Sequence, residues 1–89
     1  MDNPRRPLLQ FPCVYPLKVI GKNLEQYPED VREIARKHIP SLHTSQITLT
    51  PSGNGSYCSL TITFTADNNE QVENLYRELS AHRHTILVL

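Results

Sequence analysis

Residues 56–66 alternate strictly between apolar and polar side chains, and this stretch constrains the fold more than any other part of the chain. Its apolar members are Cys58, Leu60, Ile62, Phe64 and Ala66. Because successive side chains of a β-strand leave opposite faces, one face is apolar and the other is a ladder of tyrosine, serine and threonine. The pattern predicts a central strand with helices packed on its apolar face.

Length and composition indicate one small domain. The chain has 89 residues, of which 38% are apolar, and its formal net charge is zero. Residues 1–10 contain two prolines and two arginines and are predicted to form a flexible tail, with a single domain at 11–89. Two cysteines are too few for a disulfide framework, so we expect a protein of the reducing cytoplasm.

The first half of the domain reads as a strand, a helix and a second strand. Residues 11–22 form the first strand, with Leu17 and Val19 facing the core, and residues 23–27 form a loop. The helix follows Pro28, which suits a first helical turn. Its buried stripe has helical spacing and comprises Val31, Ile34, Ala35, His38 and Ile39. Residues 44–51 form the second strand, and the turn that follows contains Asn54-Gly55, a strong hairpin signal.

The second half adds a helix and a last strand after the central one. Asp67 and Glu70 have the spacing of a capping box, which predicts the start of the second helix. The buried stripe of this helix is predicted to be Val72, Leu75, Tyr76 and Leu79. Residues 82–84 form a turn, and residues 85–89 form a strand that is apolar on both faces.

The predicted order βαββαβ is that of a ferredoxin-like α+β plait. Right-handed crossovers give a four-stranded antiparallel sheet of order 4-1-3-2 with both helices on one face. The opposite face is left open, and one face of residues 86–89 joins it. The open face is predicted to expose Val14, Lys18, Ile20, Tyr57, Ser59, Thr61 and Thr63. Open faces and sheet edges are common assembly surfaces, so we expect a homodimer.

Several segments together resemble a known family. They are Phe11-Pro12, residues 15–21, His38-Ile39-Pro40, residues 52–59, residues 70–79 and the final Val88-Leu89. The chain is similar over residues 11–89 to the YbeD-like family of small uncharacterised bacterial proteins. This resemblance implies a plait like that of ACT-type regulatory domains and brings no established activity. The tail before Phe11 and the turn at 82–84 depart from the family pattern.

The sequence contains no recognisable catalytic or metal-binding set. No Gly-x-Ser-x-Gly elbow, phosphate-binding loop or dinucleotide fingerprint is present, so we predict that the protein is not an enzyme and needs no cofactor. His82 and His84 are two residues apart, which is weak evidence for a metal because a zinc site needs three or four ligands. His38 is predicted to be a core or boundary histidine with a hydrogen-bond partner.

Two binding surfaces follow from these predictions. The loop after the first strand matches the place where ACT-type domains hold small effectors, which makes Gly21, Lys22 and Asn23 candidate ligand-binding residues. The candidate interaction surface on the open face comprises Lys18, Ile20, Tyr57, Ser59, Thr61 and Leu87. We therefore expect a small regulatory or adaptor protein that binds another protein or a small effector.

The alternative is a nucleic-acid-binding plait that uses its open sheet face. Tyr57 and Lys18 supply one aromatic ring and one positive charge for that purpose, whereas the zero net charge and the serines and threonines of the face oppose it.

Overall fold

The computed structural model describes residues 10–89, which contain four strands and two α-helices in the predicted order. The elements are β1 (Cys13–Lys22), α1 (Tyr27–His38), β2 (Ile47–Ser52), β3 (Tyr57–Ala66), α2 (Asn69–Ala81) and β4 (Thr85–Val88). The predicted flexible tail at 1–10 lies, apart from Gln10, outside the described residues. The elements lie between Cys13 and Val88, and the predicted domain bounds at 11 and 89 stay a prediction.

The four strands form one antiparallel sheet of order β2-β3-β1-β4, which confirms the predicted topology. β1 and β3 are the two inner strands and pair along their whole length, from Cys13 opposite Ala66 to Lys22 opposite Tyr57. β2 and β4 are the edge strands. The two longest strands therefore form the centre of the sheet and fix which side chains share a face.

The core lies between one face of the sheet and the two helices. All five apolar residues of the alternating stretch are buried there, as are Leu17 and Val19 of β1. α1 contributes Tyr27, Val31 and Ala35, and α2 contributes Val72, Leu75 and Leu79. Fully burying one large apolar side chain stabilises a fold by about 1.5–3 kcal/mol. The apolar contacts of this layer are therefore the main source of the favourable free energy of folding.

α1 begins one residue earlier than its proline signal indicated. Tyr27 was predicted to end a loop, but it is the first helical residue and is 1% exposed. Pro28 occupies the first turn, where a missing N–H leaves no hydrogen bond unmade. The first turn carries Glu29 and Asp30, and the last turn carries basic residues, which suits the helix dipole.

The predicted start of α2 was wrong by one residue. Asn68, not Asp67, is the N-cap, and its side-chain oxygen accepts the N–H of Gln71 at 2.8 Å. Gln71 in turn accepts the N–H of Asp67 through its side-chain oxygen, also at 2.8 Å. Asn68 and Gln71 have the same spacing as Asp67 and Glu70, and either pair can cap a helix. Spacing alone therefore did not decide at which of the two residues α2 begins.

The second strand is shorter than predicted because its first residues form a 3-10 turn at Thr44–Gln46. The side-chain oxygen of Gln46 accepts the N–H of His43 at 2.8 Å, and its amide donates to Thr63 O at 2.9 Å. Local hydrogen bonds thus replace the sheet ladder at this end of β2. At the other end, Asn54 and Gly55 have φ angles of 58° and 85°, which confirms the predicted turn.

Candidate interaction surface

The face of the sheet opposite the helices carries all six residues of the predicted interaction surface. Strand pairing places Ile20 opposite Ser59 and Lys18 opposite Thr61 on this face. At its end, Lys22 lies opposite Tyr57, which is 43% exposed. Neither helix of residues 10–89 covers this face, which leaves its residues open to solvent or a partner. Whether they bind anything stays a prediction.

β4 presents its apolar side chains to both faces, and its register assigns each one. Val88 lies opposite Val19 and is buried against the core, whereas Leu87 lies opposite Ile20 on the open face. Leu89 exchanges two backbone hydrogen bonds with Lys18, at 2.7 and 3.2 Å, so its side chain also joins the open face. Ile86 is exposed and is the extra residue of a β-bulge between the pairs Leu87–Ile20 and Thr85–Gly21.

Ile20, Leu87 and Leu89 therefore form an apolar patch at the β4 edge of the open face. We call these three residues the apolar corner. Leu87 is 47% exposed and Leu89 is 58% exposed, although polar side chains are the usual occupants of such exposed positions. The rest of the face, from Ser59 outward to β2, consists mainly of serine and threonine. An apolar patch with a polar rim is the usual composition of a protein contact surface.

The predicted effector loop is held by contacts within the chain. The side-chain amide of Asn23 donates to Gly55 O at 2.8 Å, and the N–H of Asn23 donates to Ser56 O at 3.1 Å. Gly21 is buried beneath the ring of Tyr27, where a Cβ atom would overlap the ring. Lys22 remains exposed beside Tyr57. Gly21 and Asn23 thus have structural roles, and an effector role for this loop stays a prediction.

A polar cluster next to this loop joins the start of α1 to the turn before β4, and no motif in the sequence indicated it. Nε2 of His82 lies 3.0 Å from Oδ2 of Asp30, and the N–H of His84 donates to Nδ1 of His82 at 3.1 Å. Because Nδ1 accepts, Nε2 carries the proton and donates to Asp30. The hydroxyl of Tyr27 lies 2.6 Å from Oγ1 of Thr85.

A second polar cluster joins the two helices. Glu78 of α2 accepts hydrogen bonds from Lys37 and from Nε2 of His38, the latter at 2.7 Å. The amide of Gln71 donates to His38 O at 3.1 Å. His38 is a half-buried boundary residue with a hydrogen-bond partner, as predicted. These contacts tie the end of α1 to α2.

These clusters shift the pKa values of their carboxylates downward. The hydrogen bond from His82, followed by that from Gln26, lowers the pKa of Asp30 below 3.8, its ordinary value. The hydrogen bonds from Lys37 and then His38 lower the pKa of Glu78 below 4.5. A carboxylate with a lowered pKa in the folded state stabilises the fold above its unfolded pKa and loses that contribution as the pH falls through its folded pKa.

We therefore expect acid to destabilise the wild type as the pH falls below about 4.5. The Asp30→Asn, Glu78→Gln double variant removes both linked carboxylates and is expected to lose melting temperature less steeply over that range. Thermal melts followed by circular dichroism across the acid range measure the two slopes. The control is Glu33→Gln, which removes an exposed carboxylate of α1. If the double variant and the control have the wild-type slope, these clusters do not determine acid stability.

The cysteines and histidines do not form a metal site in the part of the chain that the structure describes. Residues 10–89 contain no group of three or more histidine, cysteine, aspartate or glutamate side chains placed to hold an ion. Cys58 is buried, and burial raises the pKa of its thiol, which disfavours the nucleophilic thiolate. Cys13 is half-buried in β1 and remote from Cys58 in register.

A groove beside α2 was also missed. It has a volume of about 820 Å³, and its walls include Tyr15, Val72, Tyr76, Val88 and Leu89. Tyr76 was predicted to belong to the buried stripe, but it is 48% exposed. Val72, Leu75 and Leu79 already fill the buried face of α2, and Tyr76 lines the groove instead. The only signal in the sequence was an aromatic residue at the margin of that stripe.

Comparison with known proteins gives a family match over nearly the whole chain. Residues 6–89 match the model of a family described as protein of unknown function DUF493. A UPF0250 protein of Neisseria gonorrhoeae is 38% identical over 82 residues, which cover 92% of this chain and 90% of that protein. A UPF0250 protein of Chromobacterium violaceum is 33% identical over 89 residues and covers the full length of both chains.

Solved structures resemble this chain in fold. A protein of H. pylori has a TM-score of 0.71 at 15% identity, covering 96% of this chain and 89% of that one. The ACT domain of a GTP pyrophosphokinase from Chlorobium tepidum has a TM-score of 0.62 at 12% identity, covering 85% and 94%. The C-terminal domain of the MgtC protein of Mycobacterium tuberculosis has a TM-score of 0.71 at 20% identity, covering 92% and 89%.

Proposed function

Since this chain belongs to the DUF493 family of proteins of unknown function, is similar to UPF0250 proteins and has an ACT-like fold, we propose that it is a non-catalytic binding module of the cytoplasm with a regulatory or adaptor role. Its contact surface is the open sheet face, centred on the apolar corner of Ile20, Leu87 and Leu89. The observation that carries the proposal is that Leu87 and Leu89 are about half exposed, side by side, on a face that neither α1 nor α2 covers.

Two arguments support a binding role. Exposed leucines next to one another at a sheet edge favour a protein partner, because burying them removes apolar area from water. The polar clusters of Asp30 and Glu78 are engaged in contacts between elements, which leaves them without an evident catalytic task. None of the helices within residues 10–89 is long and apolar enough to cross a membrane.

We propose two kinds of partner for this surface. The first is a second copy of the chain, which would cover one apolar corner with another in a homodimer. The second is another protein, with a small effector held near the loop of Gly21, Lys22 and Asn23 as an added means of control. The ACT domain among the structural neighbours belongs to a larger enzyme, which is consistent with a module that acts through others.

Affinity capture from native cytosol at mild salt tests this proposal. The tagged chain is captured in the presence of a co-expressed untagged copy, with and without RNase. A stoichiometric protein that survives RNase supports the adaptor role, and retention of the untagged copy supports the homodimer. Partners that are lost on RNase treatment contradict the proposal.

A nucleic-acid role is the second candidate, because Lys22 lies directly opposite Tyr57 and Lys18 is on the same face. A ring with one lysine opposite it and a second lysine four residues further along β1 can stack on a base and contact a phosphate. The two roles differ in their response to salt. Binding to RNA would weaken steeply as salt rises and would be lost in Tyr57→Ala, whereas binding through the apolar corner would change little.

A further inference from the structure

The outer edge of β1 is covered by β4 along only part of its length. β4 pairs with Val19, Ile20 and Gly21, and the ladder extends to Lys18 through Leu89 and to Lys22 through His84. Among residues 10–89, no strand pairs with this edge of β1 from Cys13 to Leu17. Within the described residues, β1 therefore has a short open edge from Cys13 to Leu17.

The ladder shows which backbone groups this open edge presents. Both backbone groups of Lys18 point toward β4, since its N–H donates to Leu89 O and its carbonyl accepts the N–H of Leu89. The direction alternates along a strand, so Pro16 and Val14 point their backbone groups the same way. Pro16 has no N–H to offer. The edge thus presents one donor, from Val14, and two acceptors, the carbonyls of Val14 and Pro16.

The groove beside α2 lies on the helix side of the same edge. Tyr15, which alternates with Val14 and Pro16, points into it, and the ring of Tyr15 packs against the buried Phe64 with centroids 6.1 Å apart. Tyr76 and Val72 form the opposite wall. If an added strand paired with this open edge, its residue opposite Tyr15 would point to the same face as Tyr15. The side chain of that residue would then lie between Tyr15 and Tyr76.

We propose that this edge and groove bind a short extended segment of a partner protein, which continues the position of β4 along β1. The inference rests on the binding role proposed above and names its partner chemistry: a peptide in the β conformation with an apolar or aromatic side chain opposite Tyr15. A peptide backbone is the ligand that matches a donor and two acceptors in the register of a sheet edge. Pro16 removes one donor, which keeps the added strand short and the binding weak.

The probe is the acetylated and amidated heptapeptide Lys-Thr-Val-Thr-Phe-Thr-Lys, titrated to several millimolar into the isotope-labelled full chain and followed by NMR. Its phenylalanine is the groove side chain, and the flanking threonines carry the backbone groups that meet Pro16 and Val14. We expect the amide of Val14 and the rings of Tyr15 and Tyr76 to shift together. The control peptide has N-methyl groups on those two threonines and should bind at least about tenfold more weakly, because two hydrogen bonds are lost.

Two variants of the chain locate the site. Tyr76→Ala removes an exposed groove wall and is expected to weaken binding of the heptapeptide about tenfold, in the range of a truncated aromatic contact. Tyr57→Ala removes a tyrosine of similar exposure on the open face and should leave binding unchanged. The groove proposal is overturned if no resonance shifts, if the shifts centre on Tyr57, or if both peptides bind equally, as a purely apolar pocket would allow. It is also overturned if the groove resonances depend on protein concentration without peptide, which would indicate a second copy there.

The two proposals can fail separately. If the heptapeptide does not bind but affinity capture returns a protein partner, the groove proposal is wrong and the adaptor role stands. If the heptapeptide binds as expected but capture returns only RNA, the adaptor role is wrong and the groove remains a peptide site.

Discussion

Leu60→Ala is expected to lower the free energy of unfolding by about 2–5 kcal/mol, the loss typical of a leucine truncated in a well-packed core. Leu60 is fully buried at the centre of β3, the inner strand that pairs with both β1 and β2. Truncation removes its apolar contacts and leaves a cavity between the sheet and the helices. Since small domains have total stabilities of about 5–15 kcal/mol, this one change is expected to leave a substantial unfolded fraction. Urea denaturation followed by circular dichroism measures the loss.

Leu49→Ala is the matched control for this prediction. Leu49 lies directly opposite Leu60 on the same face of the sheet, but it is on the edge strand β2 and is 45% exposed. The same change of side chain should therefore destabilise the fold by less than about 1 kcal/mol. Equal losses for the two leucines would mean that the edge of the sheet at β2 is buried in solution, which this fold does not explain.

Gly21→Ala is expected to destabilise the fold by about 2–3 kcal/mol, although alanine fits most strands better than glycine does. A Cβ atom at Gly21 would overlap carbons Cε2 and Cζ of the Tyr27 ring and lie 2.6 Å from its hydroxyl oxygen. Tyr27 cannot move away freely, because its ring is buried and packs edge-on to His82 with centroids 5.1 Å apart. For a domain of this size the melting temperature should fall by roughly 10 °C or more.

A double-mutant cycle separates this steric clash from a loss of strand flexibility. In the Tyr27→Leu background the ring is absent, and Gly21→Ala should then cost less than about 1 kcal/mol, so the two substitutions are strongly non-additive. Thermal melts of the four proteins give the coupling energy. Additive losses would show that Gly21 is needed for its backbone freedom and that the contact with Tyr27 does not explain its presence.

The fold was predictable because the strongest local signals all concern which face is buried. Strict alternation over residues 56–66 fixed the face of β3, and the strand order followed from connection rules. The resemblance to the YbeD-like family is confirmed by the family match over residues 6–89. The errors are at the ends of elements. At the start of α2, Asp67 and Asn68 are both suitable N-caps, and the sequence does not separate them. At the start of β2, the side chain of Gln46 makes hydrogen bonds that a strand would otherwise make.

The polar clusters and the groove were not predictable, because they join residues far apart in sequence. Asp30 and His82 meet only once α1 and the turn before β4 lie side by side, and no spacing rule relates them. Tyr76 was assigned to the core from helical periodicity, which does not show where the sheet ends beneath a helix. The open face was identified correctly from alternation, but the β-bulge at Ile86, which determines that Leu87 faces outward, was visible only in the strand register.

The most direct test of the binding role is the quantity of protein partner retained when the apolar corner is changed. Leu87→Lys places a charge at the centre of this patch, and Leu24→Lys places the same charge at a loop leucine of similar exposure. In parallel captures with RNase present, we expect Leu87→Lys to reduce the retained partner by about tenfold or more, as for an interface hot spot, and Leu24→Lys to retain the wild-type amount. Equal retention by all three proteins would contradict a binding role for the open sheet face.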